Sequence, residues 1–214
     1  GWAAVRHRHT GWWYLPFSET VLAKHCRHTG GCTWLPAVLA WRRTWLDVPV
    51  HLPRLEGLGA TVYTDGSVSH PGDAGLRRGT AAVAWQLDSG TWKGWQGPSP
   101  GAASSGRAEL WAVLAAGASA NPAGPLRVVL DNRAVVDGLH SLQLHGNQCT
   151  KEQLRGPMGD LWRLAATLGL GRTDRTYEWF PSRRSHAEAL QQGLSAADWL
   201  GNRKADAIAR LGSD

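Results

Sequence analysis

The chain of 214 residues carries a formal net charge of +6, with 43% hydrophobic and 19% charged residues, 26 Gly, 13 Trp and 3 Cys. That length suffices for a buried core with an appendage, and the apolar content excludes a fully disordered chain. Three Cys exclude a disulfide framework and point to a reducing intracellular setting, nuclear or cytoplasmic, while no apolar run reaches 18 residues and the most hydrophobic stretch, residues 34–45, is split by Arg42 and Arg43, which argues against a membrane span.

The first 56 residues differ in texture from the remainder. They hold six of the 13 Trp and a net charge of +4, leaving +2 for the other 158 residues. Residues 49–59 (PVHLPRLEGLG) read as a linker, which predicts a Trp- and basic-rich amino-terminal extension over residues 1–58 and a second domain over 59–214. Within the extension, His25, Cys26, His28 and Cys32 invite a zinc reading, with His7 and His9 as further ligands. Their spacing fits no standard zinc pattern, and a basic, His-rich surface is the plainer account. Residue 1 is Gly and no targeting peptide is legible, so the chain reads as a piece of something longer. The basic excess favours an anionic partner.

From residue 60 the pattern becomes regular. Residues 60–64 (ATVYT), 80–87 (TAAVAWQL) and 90–96 (GTWKGWQ) predict three strands of a meander, the last two joined by the turn Asp88-Ser89-Gly90. Trp85 belongs in the core, whereas Trp92 and Trp95, three apart, face opposite sides of the sheet. Residues 105–120 predict a helix with Leu110, Val113 and Leu114 at helical spacing, stopped by Asn121-Pro122. Residues 126–130 (LRVVL) predict a buried strand, and 133–142 a helix with Val135, Val136 and Leu139 on one face. A third helix over 151–168, a fifth strand over 176–180 and a final helix over 196–211 complete the order βββαβααβα, a mixed five-stranded sheet flanked by helices.

Four acids fall at telling places on that scaffold. Asp65 ends the first strand, Glu109 lies one turn inside the first helix, Asp131 ends the fourth strand and Asp206 lies in the final helix. Neighbouring first and fourth strands would set Asp65 and Asp131 side by side, with a helix packed over that edge bringing in Glu109. Clustered carboxylates repel unless cations bind between them. Oxygen ligands of this kind suit Mg²⁺ or Mn²⁺, and two such ions can activate a water and stabilise the leaving oxygen of a phosphodiester. Singly, each acid has a plain structural reading: Asp131 as a helix cap, Asp65 as a turn residue, the others as surface acids.

Together, Thr64-Asp65-Gly66-Ser67, Arg107-Ala108-Glu109-Leu110, Leu130-Asp131-Asn132 and the run from Asp198 to Asp206 (DWLGNRKAD) resemble the motifs of type 1 ribonuclease H domains of the reverse-transcriptase-associated kind, over residues 60–210. The resemblance implies a ribonuclease H-like fold and hydrolysis of the RNA strand of RNA–DNA hybrids. It implies two divalent ions held by Asp65, Glu109, Asp131 and Asp206, and an upstream polymerase module. It also implies substrate contacts by Gly66, Ser67, Ser105, Arg107 and Asn132. For Arg107 and Ser105 the alternative is helix capping. The family's loop His, found after strand five within Pro-Ser-His, is replaced by Arg183, and His186 stands three residues on in a segment expected to be a mobile loop. A catalytically silent domain of the same fold, kept for nucleic-acid binding or structure, is the competing reading. Four intact acids count against it.

Overall fold

The computed structural model describes residues 5–6, 13–14, 52–69, 78–122, 124–182 and 184–211. The chain divides into two compact units, Gly1–Val50 with His70–Arg77, and His51–Ser69 with Arg78–Asp214. Within the first, Val5–Arg6 pairs antiparallel with Trp13–Tyr14. The four His and Cys positions of the zinc reading lie outside the described residues.

The second unit is a five-stranded sheet: β1 (Thr61–Ser69), β2 (Arg78–Gln86), β3 (Trp92–Pro98), β4 (Leu126–Leu130) and β5 (Arg175–Trp179), in spatial order β3-β2-β1-β4-β5. The meander β1–β2–β3 is antiparallel, and β4 and β5 add to it in parallel. The helices are α1 (Ser105–Ser119), α2 (Arg133–Leu144), α3 (Lys151–Arg155), α4 (Gly159–Thr167), α5 (His186–Gln191) and α6 (Ala196–Leu211). This is the mixed α/β sheet expected of a ribonuclease H-like fold. Among the described residues no helix is long and apolar enough to cross a membrane.

Strand alternation divides the core into two layers. Val62, Val83 and Val128 point to one face, where α1, α2 and α4 supply Leu110, Leu114, Leu139 and Trp162. Their neighbours Tyr63, Ala84 and Val129 point to the other face with Ala205 of α6. Trp95 packs on the first layer and Trp92 on the second, so the two face opposite sides as expected, and Trp85 is buried. Residues 52–58, read from the sequence as a linker, are packed. Leu55 is buried, its N–H donates to Ser119 Oγ at 2.9 Å, and Ser119 Oγ donates to the Pro53 carbonyl at 3.0 Å.

Three expectations need correction. The helix expected over 151–168 is broken between α3 and α4, because Gly156 is extended (φ −71, ψ 169) ahead of Pro157, which disfavours helical backbone before it and supplies no N–H. The segment expected to be a loop from His186 onward forms α5, opened by a capping box in which Ser185 accepts from the Glu188 N–H and Glu188 accepts from the Ser185 N–H. Finally, β1 does not end at Asp65 but continues to Ser69 along β2, with Asp65 opposite Ala82 and Ser69 opposite Arg78.

Candidate metal centre at the end of the parallel ladder

What ends at Asp65 is the parallel pairing. Thr64 is the last β1 residue in register with β4, opposite Leu130, so the next residue on each strand, Asp65 and Asp131, leaves the ladder side by side. The third acid arrives from α1. The N-cap Ser104 accepts from the Arg107 N–H at 3.2 Å and fixes where the helix begins. One turn later, Glu109 is 1% exposed. This approach requires Gly66: a Cβ there would lie 2.3 Å from the Glu109 nitrogen and 2.7 Å from the Ser105 carbonyl oxygen. Ligand oxygens of Asp65, Glu109 and Asp131 lie within 4.8 Å of one another.

The electrostatics of the group are those of charges short of a cation. Burial first, then the Asp131 charge, with Asp206 adding, pushes the Asp65 carboxyl up to about 7, against the opposing Gly66 N–H and Arg210. Burial followed by Asp65 and Asp131 pushes Glu109 well above the ordinary carboxylate range. Two hydrogen bonds orient the acids: Thr64 Oγ1 donates to Glu109 Oε1 at 2.8 Å, and the Gly66 N–H donates to Asp65 Oδ1 at 2.8 Å. An all-oxygen, anionic donor set suits a hard divalent cation and would relieve the repulsion, so the residues fit the ions that the sequence implies.

Asp206 stands outside the three-residue group. It lies close enough to raise Asp65, yet its carboxylate accepts from Arg210 Nε at 2.9 Å, an i,i+4 pair on α6. Asn132 caps α2, its Oδ1 accepting from the Val135 N–H at 3.3 Å. Ser105 Oγ donates to the Gly66 carbonyl at 3.0 Å, and Ser67 lies two residues beyond Asp65 on the same strand. Arg107, weighed between a substrate contact and a helix cap, turns into the interior. Its side chain is 7% exposed and donates to Asp160, to the Pro157 carbonyl at 3.1 Å and to the Pro100 carbonyl, which ties α1 to the start of α4 and the loop before α1. His186 opens α5 with its ring 4.9 Å from that of Trp199, whose Nε1 donates to the Arg184 carbonyl at 3.0 Å. Arg183, the residue at the family's His position, lies outside the described residues.

Sequence reading missed the network that docks α6. Arg127 on β4 donates to Glu178 on β5 and, at 2.8 and 2.9 Å, to both Asp198 oxygens on α6, while Tyr63 Oη donates to Asp198 Oδ1 at 3.1 Å. Burial would raise Asp198, but the hydrogen bonds and charge of Arg127 outweigh it and hold the carboxyl below its usual range. Gly201 completes the dock, since a Cβ there would lie 2.4 Å from the Tyr63 ring. Partners 71 and 135 residues apart leave no local signal in a sequence.

No protein-family model matches the sequence, and neither does any curated protein. Solved structures do. The chain is similar to the ribonuclease H domain of prototype foamy virus, at 21% identity and a TM-score of 0.53 over 72% of this chain and 93% of that one. It is similar to the native protease–reverse transcriptase of the same virus, at 21% identity and a TM-score of 0.52, and to a foamy viral protease–reverse transcriptase in complex with RNA/DNA hybrid, at 19% and 0.52. Each of these two matches covers 78% of this chain and 22% of the longer one. With β1 beside β4 and acids at the end of their ladder, the second unit of this chain has the fold of the retroviral ribonuclease H domain.

Proposed function

We propose that the chain hydrolyses the RNA strand of RNA–DNA hybrids with two divalent ions, Mg²⁺ or Mn²⁺, held by Asp65, Glu109, Asp131 and Asp206. The observation that carries this reading is the convergence of three buried or half-buried carboxylates within 4.8 Å at the end of the sheet. The foamy viral neighbour in complex with RNA/DNA hybrid supports the choice of substrate. That neighbour is much longer than the matched part, this chain covering 22% of it, which supports a polymerase module elsewhere in a longer polyprotein.

Bound ions would supply an activated water and charge stabilisation at the leaving oxygen. The chain's own residues set the geometry. Thr64 fixes the Glu109 carboxylate, the Gly66 N–H fixes that of Asp65, and the Arg127–Asp198 dock presents α6 with Asp206 on it. Asp206 joins the group by releasing Arg210, and an exposed i,i+4 pair of this kind stabilises a helix by only about 0.3–0.5 kcal/mol. Ser67, Ser105, Asn132 and the Gly66 backbone are the proposed contacts to the RNA strand, whose 2′-hydroxyl both donates and accepts. His186 serves as a proton carrier in this reading.

The test is cleavage of a hybrid labelled on its RNA strand. Cleavage should require Mg²⁺ or Mn²⁺ and be absent in Asp65→Asn and Asp131→Asn. Metal-independent cleavage, or activity surviving both substitutions, would refute the mechanism.

A further inference from the structure

The edge strand β5 ends in an aromatic residue that the core does not use. Strand alternation puts Tyr177 and Trp179 on the same face. Tyr177 is buried at 3% exposure, whereas Trp179, beyond the cover of the helices, is 43% exposed. The indole is nonetheless fixed: Nε1 donates to the Asp131 backbone carbonyl at 3.0 Å, directly beside a carboxylate of the metal centre. Its only polar atom is thereby satisfied, leaving an exposed apolar ring. Over that ring stands the Arg133 guanidinium, 5.6 Å from the centroid. Arg133 is itself 65% exposed and, among the described residues, its ion pair is with the 57% exposed Asp137 at 3.0 Å. Exposed pairs of that type are easily exchanged for a phosphate.

A fixed aromatic ring next to an exposed cation is a combination that nucleic-acid backbones use, the sugar packing on the ring and the phosphate meeting the charge. Resting on the reading of the neighbouring carboxylates as a hybrid nuclease, we propose that Trp179 and Arg133 form a nucleotide platform beside the metal centre. The indole packs against a ribose of the strand that passes Asp131, and the guanidinium holds the adjoining phosphate. The platform positions the strand and takes no part in bond cleavage.

The two residues predict different signatures, which can be read in an Asp65→Asn background so that binding is measured without hydrolysis. Trp179→Ala should weaken the affinity for a fluorescent RNA–DNA hybrid at least about five-fold with the salt dependence unchanged, because packing against a sugar is not ionic. Arg133 is largely exposed, so Arg133→Gln should leave folding intact. It should weaken affinity and lower the slope of log affinity against log salt by about one. In the otherwise wild-type chain, both should raise KM more than they lower kcat. Unchanged affinity in both variants, with the wild-type chain cleaving hybrid normally, overturns the platform alone. A wild-type chain that neither binds nor cleaves hybrid overturns the nuclease reading and the platform with it.

Discussion

Thr64 and Glu109 lie 45 residues apart in sequence and meet in the interior, the Thr64 hydroxyl donating to the Glu109 carboxylate at 2.8 Å with both residues at most 1% exposed. A strand hydroxyl thus sets the direction of a helix carboxylate. Thr64→Val keeps the shape and removes the donor, and it should lower Mn²⁺ affinity and hybrid cleavage about 10- to 100-fold, the usual effect of losing a partner of a metal-binding side chain. Thr64→Ser should recover most of both. Calorimetric titration with Mn²⁺ reads the effect apart from turnover, and a Val variant with wild-type affinity would remove Thr64 from the site.

The raised carboxyls predict a stability profile for the metal-free protein. Asp65 has an ordinary value of 3.8 and is pushed up to about 7, so between those values the folded state holds a proton that the unfolded chain has released. Stability contributed by this group is full below the lower value, declines as pH rises through the window, and is lost above about 7. Glu109 acts in the same direction. The melting temperature in chelator should therefore fall by several degrees from about pH 5 to about pH 8. Mg²⁺ should flatten the fall, because it takes the place of the proton. A melting temperature that rises across that window in chelator would contradict the electrostatic account.

Arg107 tests a structural role against a substrate-binding one. Its buried guanidinium joins α1 to Asp160 and to two loop carbonyls, and Arg107→Ala should destabilise the fold by about 2 kcal/mol, as expected for losing hydrogen bonds to a charged partner. KM for hybrid in the folded variant should stay at the wild-type value. Urea denaturation and steady-state kinetics together decide the matter: a raised KM with unchanged stability would return Arg107 to the substrate.

Much of this was legible in the sequence, and the gaps have physical causes. Strand β4 and helix α6 fall where the sequence puts them, over 126–130 and 196–211, because their signals are local. The Gly156-Pro157 break and the Ser185–Glu188 capping box are also local signals, and each is visible once sought. The positions of Asp65, Glu109 and Asp131 followed from motifs, but their meeting depends on register across β1 and β4, which no single segment encodes. Asp206 bonding with Arg210, four residues on, was readable as helix spacing; the Arg127–Asp198 dock was not, because it joins distant elements.

His186 offers a further check. Held in the first turn of α5 against Trp199, it is exposed and within a fixed element rather than a free loop. His186→Ala should slow hybrid turnover modestly without abolishing cleavage. An unchanged turnover rate would exclude it from proton transfer.

The central claim is that the acids at the end of the parallel ladder hold the ions of a nuclease. Its most direct test is the anomalous scattering of a crystal of the whole chain soaked in Mn²⁺. The account predicts two Mn²⁺ peaks among Asp65, Glu109 and Asp131, with Asp206 turned from Arg210 to join them. A map with no Mn²⁺ between these carboxylates, at concentrations that support hybrid cleavage, would contradict it.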